Sequence, residues 1–140
     1  MEVRVLTSRD ASVLDNVAED VFDNPIDLRS TAEFLADPHH HLCVAVEAGV
    51  VIGFASAVRY IHPDKPPELW INEVGVAPPF HRRGVAKAIV ARLLALAKQL
   101  GCVEAWVLTD EDNTAARALY RSAGGTETPA GVMVTFELDN

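Results

Sequence analysis

The chain has 140 residues, 49% of them hydrophobic and 23% charged. That is enough apolar material for a single domain, residues 1–140, with a real core. The formal net charge of -8 argues against nonspecific nucleic-acid binding and favours a cationic partner, though surface acidity also serves solubility.

The first ten residues, MEVRVLTSRD, hold no apolar segment of the signal-peptide kind. No run reaches the roughly 18 apolar residues a membrane span needs. A cytoplasmic chain without a membrane partner is therefore expected. Val3 and Val5 alternate within a first strand over residues 2–7. Thr7 or Ser8 can cap a helix over about 9–21, with Val13, Leu14, Val17, Ala18 and Val21 on one face. A short helix fits Ser30–Ala36, stopped by Pro38. His41–Glu47 and Val51–Tyr60 read as strands around an Ala48-Gly49 hairpin signal. Residues 61–67 form a Pro-rich loop, and Leu69–Val76 is a fourth strand. Gly75 within it signals a bulge or a close ligand approach. Gly84–Leu100 is a helix with Ala86, Ile89, Val90, Leu93, Ala97 and Leu100 along its buried stripe, ended by Gly101. Val103–Leu108 is a fifth strand, Asn113–Ala123 a helix closed by Gly124-Gly125, and Val132–Leu138 a final strand. The whole is a mixed α/β order whose sheet starts antiparallel.

Six features bear on chemistry. The junction from Val74 to Lys87 runs from a strand through Arg82-Arg83-Gly84 straight into a helix. Unpaired backbone N–H groups at a helix N-terminus hold phosphates, Gly84 lets the backbone come close, and Arg82, Arg83 and Lys87 add charge. The reading is a pyrophosphate cradle; the alternative is a solvated helix start, which cations at a helix N-terminus disfavour. Asp20, Asp23 and Asp27, with Asp110, Glu111 and Asp112, could line a pocket for a polyamine or simply keep two loops solvated. Cys43 and Cys102 lack metal or redox spacing and read as buried thiols in a reducing compartment. His39-His40-His41 are consecutive and point alternately on an extended chain, so no metal is expected. Ser56 and Cys43 have no legible His/Asp relay, which leaves nucleophilic catalysis without support. Trp70 and Trp106 read as core rather than as a ligand platform.

The order of a fourth strand, x-x-Gly84-x-Ala86, helix, strand and Asn113-x-x-Ala116-x-x-Leu119-Tyr120-x-x-x-Gly124 resembles the GCN5-related N-acetyltransferase superfamily, most clearly over residues 69–125. The resemblance implies an acetyl-CoA-dependent acyl transfer on a mostly antiparallel sheet, with helices on both faces and β4 and β5 parallel and splayed. Carried onto this chain, it implies that Arg82, Arg83, Gly84, Val85, Ala86 and Lys87 hold the pyrophosphate. Val74, Gly75 and Val76 would lie along the pantetheine, whose arm Asn113 would contact. Tyr120 would sit near the thioester sulfur. His81 stands where that family usually has Gln or Arg. Shorter motifs, Val21-Phe22-Asp23-x-Pro25, Glu68-x-x-Ile71-x-Glu73-Val74-x-Val76 and Phe136-Glu137-Leu138-Asp139, resemble the aminoglycoside 3-N-acetyltransferases of the gentamicin/fortimicin type. They imply a cationic small-molecule amine as acceptor, with Glu73, Asp23 and Asp110 to Asp112 as its carboxylates. Homodimers are common in the superfamily, and the final strands often contribute.

Acetyl transfer needs a neutral amine, donors for the developing oxyanion and a proton for the leaving thiolate. Glu73 is expected to be the base, backbone N–H near Val74 the oxyanion donor and Tyr120 the acid. The competing readings are a solvated strand residue for Glu73 and a core aromatic for Tyr120. Two further functions stay open: acetylation of another small amine, polyamine or protein amine, and a non-catalytic CoA-binding sensor.

Overall fold

The computed structural model describes residues 1–139. Five strands form one sheet in the order β1-β2-β3-β4-β5: β1 Glu2–Val5, β2 His40–Glu47, β3 Val50–Tyr60, β4 Glu68–Val76 and β5 Glu104–Val107. The first three pairings are antiparallel and β4–β5 is parallel. The helices are α1 Leu28–Ala36, α2 Val85–Gln99 and α3 Thr114–Ser122.

The sheet has a core on each face. On one, α2 sets Val85, Ile89, Val90, Leu93 and Ala97 against Ala55, Ala57, Leu69 and Ile71. This is the stripe expected from its periodicity, except that Ala86 and Leu100 are only half-buried and Leu100 caps the helix end. Leu93 is fully buried, so Leu93→Ala should cost about 2–5 kcal/mol, read by urea denaturation; a loss under 1 kcal/mol would contradict this packing. The other face buries Leu14, Val21, Val44, Val51 and Phe54 beneath the segment between β1 and α1.

That segment is where the expected helix over 9–21 does not form. Only a 3-10 turn, Ala11–Asp15, is present. Asp10 turns back to accept from the Thr7 amide at 2.7 Å, and β3 recruits the chain beyond it. Val51 N donates to Asn16 O and Ala18 N to Val51 O, both at 2.9 Å. Asp15, Asn16 and three valines are poor helix formers, and a strand edge offers their backbone groups a better set of partners.

The expected final strand Val132–Leu138 is also absent, and Val132, Met133, Val134, Phe136 and Leu138 are exposed. The chain leaves α3 through Glu127, which takes a two-point contact from Arg117 at 2.7 and 3.0 Å. Among the described residues nothing pairs with the outer edge of β5. Both cysteines are free, and burial pushes the Cys43 thiol up to about 11.

Candidate active site

β5 pairs only with the first half of β4, Glu68–Ile71. From Glu73 to Val76, β4 is held by β3 alone. Its other edge therefore carries backbone groups without a strand partner, next to the point where the parallel strands end. An extended, amide-bearing chain fits such an edge as an added strand would.

β4 then turns through Pro78–Phe80 into α2. His81 donates from Nε2 to the Val76 carbonyl at 2.7 Å and ties the turn to the strand. Arg82 and Gly84 are both left-handed, with φ of 63° and 77°. For a residue with a side chain this conformation costs roughly 1–2 kcal/mol. It brings the chain into α2 with Gly84 at the cap and no side-chain oxygen on the first amides. The helix geometry leaves the amides of Val85, Ala86 and Lys87 without an intrahelical acceptor. Arg82, Arg83 and Lys87 are exposed around them, and Arg83 lies over the Phe80 ring at 5.3 Å. This end of α2 suits an anion. With the open β4 edge it fits the pyrophosphate and pantetheine of acetyl-CoA.

A cleft of about 600 Å³ opens on the sheet face opposite α2. Two irregularities in β4 build it. Ser56 pairs with Glu73 but Ala57 pairs with Ile71, so Asn72 is an extra residue, a bulge. Asn72 and Glu73 both line the cleft. Gly75 supplies the second: a Cβ there would stand 2.5 Å from the Val21 carbonyl oxygen. The glycine thus lets the segment before α1 lie directly on β4, with Phe22 stacked on Phe54 at 4.0 Å between ring centres. This carries Asp23 into the wall of the cleft that Glu73 also lines. Trp70 forms another part of the wall, stacked on Trp106 at 5.7 Å. Trp106 is fixed in turn by Nε1 donating to Tyr60 Oη at 3.1 Å, and Tyr60 donates to Glu68 at 3.3 Å.

Tyr120 of α3 is half-buried against the α2 core. Burial raises its phenol above the usual tyrosine range, so it carries its proton at neutral pH. Among the described residues no group of three His, Cys, Asp or Glu side chains could hold a metal, and no helix is long and apolar enough to cross a membrane.

The sequence pattern of the Acetyltransferase (GNAT) family matches residues 10–124. The chain belongs to the GNAT acetyltransferase family. Among GNAT relatives, it is 33% identical over 124 residues to the N-alpha-acetyltransferase RimI of Mycobacterium tuberculosis, covering 87% of this chain and 76% of that protein. It is 32% identical over 100 residues to an aminoglycoside N(6')-acetyltransferase type 1 of Salmonella typhimurium, covering 69% of each. Solved GNAT structures share the fold. An aminoglycoside acetyltransferase from an uncultured soil metagenomic sample, in complex with sisomicin, gives a TM-score of 0.82 at 17% identity over 99% of this chain and 96% of that one. The aminoglycoside N-acetyltransferase AAC(6')-Iy in complex with CoA gives 0.79 at 24% identity over 98% and 95%. The aminoglycoside relatives whose position of action is named are 6' enzymes, whereas the short motifs resemble the 3-N type.

Within this GNAT frame the expected residues fall into groups. Val74, Gly75 and Val76 form the open half of β4 and Arg82 to Lys87 the start of α2. Gly75 makes room for the Val21 carbonyl, and the bulge lies at Asn72. Glu73 and Asp23 meet at the cleft, but Asp110, Glu111 and Asp112 do not line it. They form the turn before α3, where the Glu111 carbonyl accepts from Arg117 at 2.7 Å. The oxygen of Asn113 caps α3, accepting from Ala116 N at 3.1 Å, which leaves its amide nitrogen and one oxygen lone pair for a cofactor arm. Trp70 and Trp106 are half-buried rather than core: Trp70 lines the cleft and Trp106 stacks against Trp70. Ser56, Asn72 and His40 also line the cleft without having been anticipated. Nothing local marks them, because their place depends on β2–β3–β4 register.

Proposed function

We propose that this chain transfers the acetyl group of acetyl-CoA to an amine of an aminoglycoside and thereby confers resistance. The observation that carries the reading is the cleft, lined by both Asp23 and Glu73, on the same sheet whose open β4 edge fits pantetheine. An adjoining depression of about 560 Å³ adds Asp15 and Asp20. Carboxylates at several points suit a ligand with several ammonium groups, and each can accept more than one N–H.

In this reading the amides of Val85, Ala86 and Lys87, with Arg82 and Arg83, hold the pyrophosphate, and the β4 edge from Val74 to Val76 orients the pantetheine. Acetyl-CoA supplies the activated acyl group. Glu73 takes the proton of the acceptor amine, directly or through water, and Tyr120 protonates the departing sulfur. Asp23 holds a second ammonium of the acceptor. Asp110, Glu111 and Asp112 act at longer range as part of the acidic field.

The resemblance of the short motifs points to the 3-amino group, and the named activity of the 32% identical relative favours the 6' nitrogen. The similarity to RimI supports a second reading, a protein N-terminal amine. Thiol release from acetyl-CoA with sisomicin, gentamicin, kanamycin, spermidine and a short peptide separates these. Turnover of aminoglycosides, followed by NMR of the product, supports the first reading and identifies the nitrogen. Turnover of the peptide alone overturns it.

The working unit in this reading is a homodimer. The exposed row Val132, Val134, Phe136 and Leu138 has strand alternation but no strand partner, and the outer edge of β5 is open. A second copy offers the same pair of features, so reciprocal pairing would cover both. Light scattering should give twice the 15.2 kDa chain mass, and Val134→Asp with Phe136→Asp should give the monomer. A monomeric parent chain would contradict this assembly.

A further inference from the structure

We propose that Ser56 is a positioning residue for the acceptor amine, taking one N–H of a primary amine while Glu73 takes the other. The inference rests on the reading of Glu73 as the base and extends it to a residue that no motif marks.

Ser56 is the one polar side chain in the buried set of the described residues, at 9% exposure, and its hydroxyl has no hydrogen-bond partner. A buried hydroxyl in that state is costly and calls for a ligand or an ordered water. Its surroundings do not need it: Phe54 and Val58, two residues away on either side and so on the same face of β3, are apolar. Alanine would serve the fold as well. Ser56 stands directly across from Glu73, at the bulge made by Asn72, and both line the cleft. Directly opposed residues of an antiparallel pair have Cβ atoms roughly 4.5–5.5 Å apart. One nitrogen placed over the pair can therefore reach both side chains.

A neutral primary amine has two N–H donors and one lone pair. Ser56 Oγ and the Glu73 carboxylate are two acceptors on one side of the nitrogen. With both N–H groups engaged, the lone pair points away from them, fixed in direction for attack. Reaction forms the C–N bond and breaks the C–S bond, with one amine proton passing to Glu73 and the thiolate taking a proton from Tyr120. Ser56 neither gains nor loses a proton. It contributes orientation, the term that converts a bound amine into an aligned one.

The test compares Ser56→Ala and Ser56→Thr with the parent chain. For Ser56→Ala, kcat/KM for the amine should fall about tenfold or more, the magnitude of one lost hydrogen bond to a reacting group. The KM for acetyl-CoA should stay unchanged and the Tm should not fall, because the unpartnered hydroxyl is gone. Calorimetry with sisomicin, in the absence of acetyl-CoA, should show weaker binding. Ser56→Thr keeps the hydroxyl and should retain activity within about threefold. Amine kinetics and sisomicin affinity unchanged in Ser56→Ala, alongside an inactive Glu73→Gln, would overturn the role of Ser56 alone. Full turnover in Glu73→Gln would overturn the base reading and this inference together. If the parent chain acetylates only the peptide, the aminoglycoside reading falls, and the kinetic and calorimetric comparisons are made with the peptide.

Discussion

Replacing Glu73 with alanine is expected to lower turnover by about 10²–10⁴-fold while acetyl-CoA still binds. The residue sits beyond the last β4–β5 pair, at the bulge, exposed in the cleft that Asp23 also lines. It has no salt-bridge partner among the described residues, so its removal leaves no uncompensated buried charge and the fold should be intact. Pre-steady-state kinetics with acetyl-CoA and the best amine would measure the chemical step, and equilibrium dialysis the cofactor affinity. Turnover should recover at higher pH, where more of the amine is already neutral and needs no base. An alanine variant with parental kcat would remove Glu73 from the mechanism and return it to the solvated-strand reading.

Replacing Tyr120 with phenylalanine should also reduce kcat by at least a hundredfold, within the range of acid–base assistance, with little change in the KM for acetyl-CoA. The ring is half-buried among apolar residues of the α2 core, and phenylalanine preserves that packing. Only the hydroxyl is lost. Burial raises the phenol above the ordinary tyrosine range, because the phenolate is poorly solvated there. The parent enzyme should therefore keep the acid protonated through neutral pH, and its rate should fall only as pH climbs past that raised pKa. The variant should lack this alkaline limb. A loss confined to cofactor affinity would assign Tyr120 to binding instead.

Much of the local structure expected to hold the cofactor was legible in the chain itself. The run from Val74 to Lys87, the left-handed Gly84 and the apolar stripe of α2 are local features, and a strand–turn–helix junction forms from residues adjacent in sequence. The Asn113 cap and the Gly124-Gly125 stop of α3 were read for the same reason. The acceptor side was read less well. Gly75 was taken as a bulge or a place of ligand approach, yet the bulge lies at Asn72 and the missing side chain accommodates a carbonyl from Val21, 54 positions earlier in the chain. Asp110 to Asp112 were grouped with Asp20, Asp23 and Asp27 by charge, but of these only Asp23 and Asp27 line the cleft. The expected helix over 9–21 failed because hydrophobic spacing cannot register that β3 offers Asn16 and Ala18 backbone partners.

The sequence by itself determined the family, the mixed α/β order of elements and the glycine-led start of α2. The family follows from the order of motifs over residues 69–125, and the elements from local stretches in which backbone conformation and side-chain periodicity are set by neighbouring residues. Tertiary structure alone decided the acceptor cleft. The bulge at Asn72, the register that sets Ser56 opposite Glu73 and the close pass of Val21 over Gly75 are relations between distant segments. They follow from how β3, β4 and the segment before α1 share one face of a sheet, where a one-residue change of register would turn a cleft side chain into a core one.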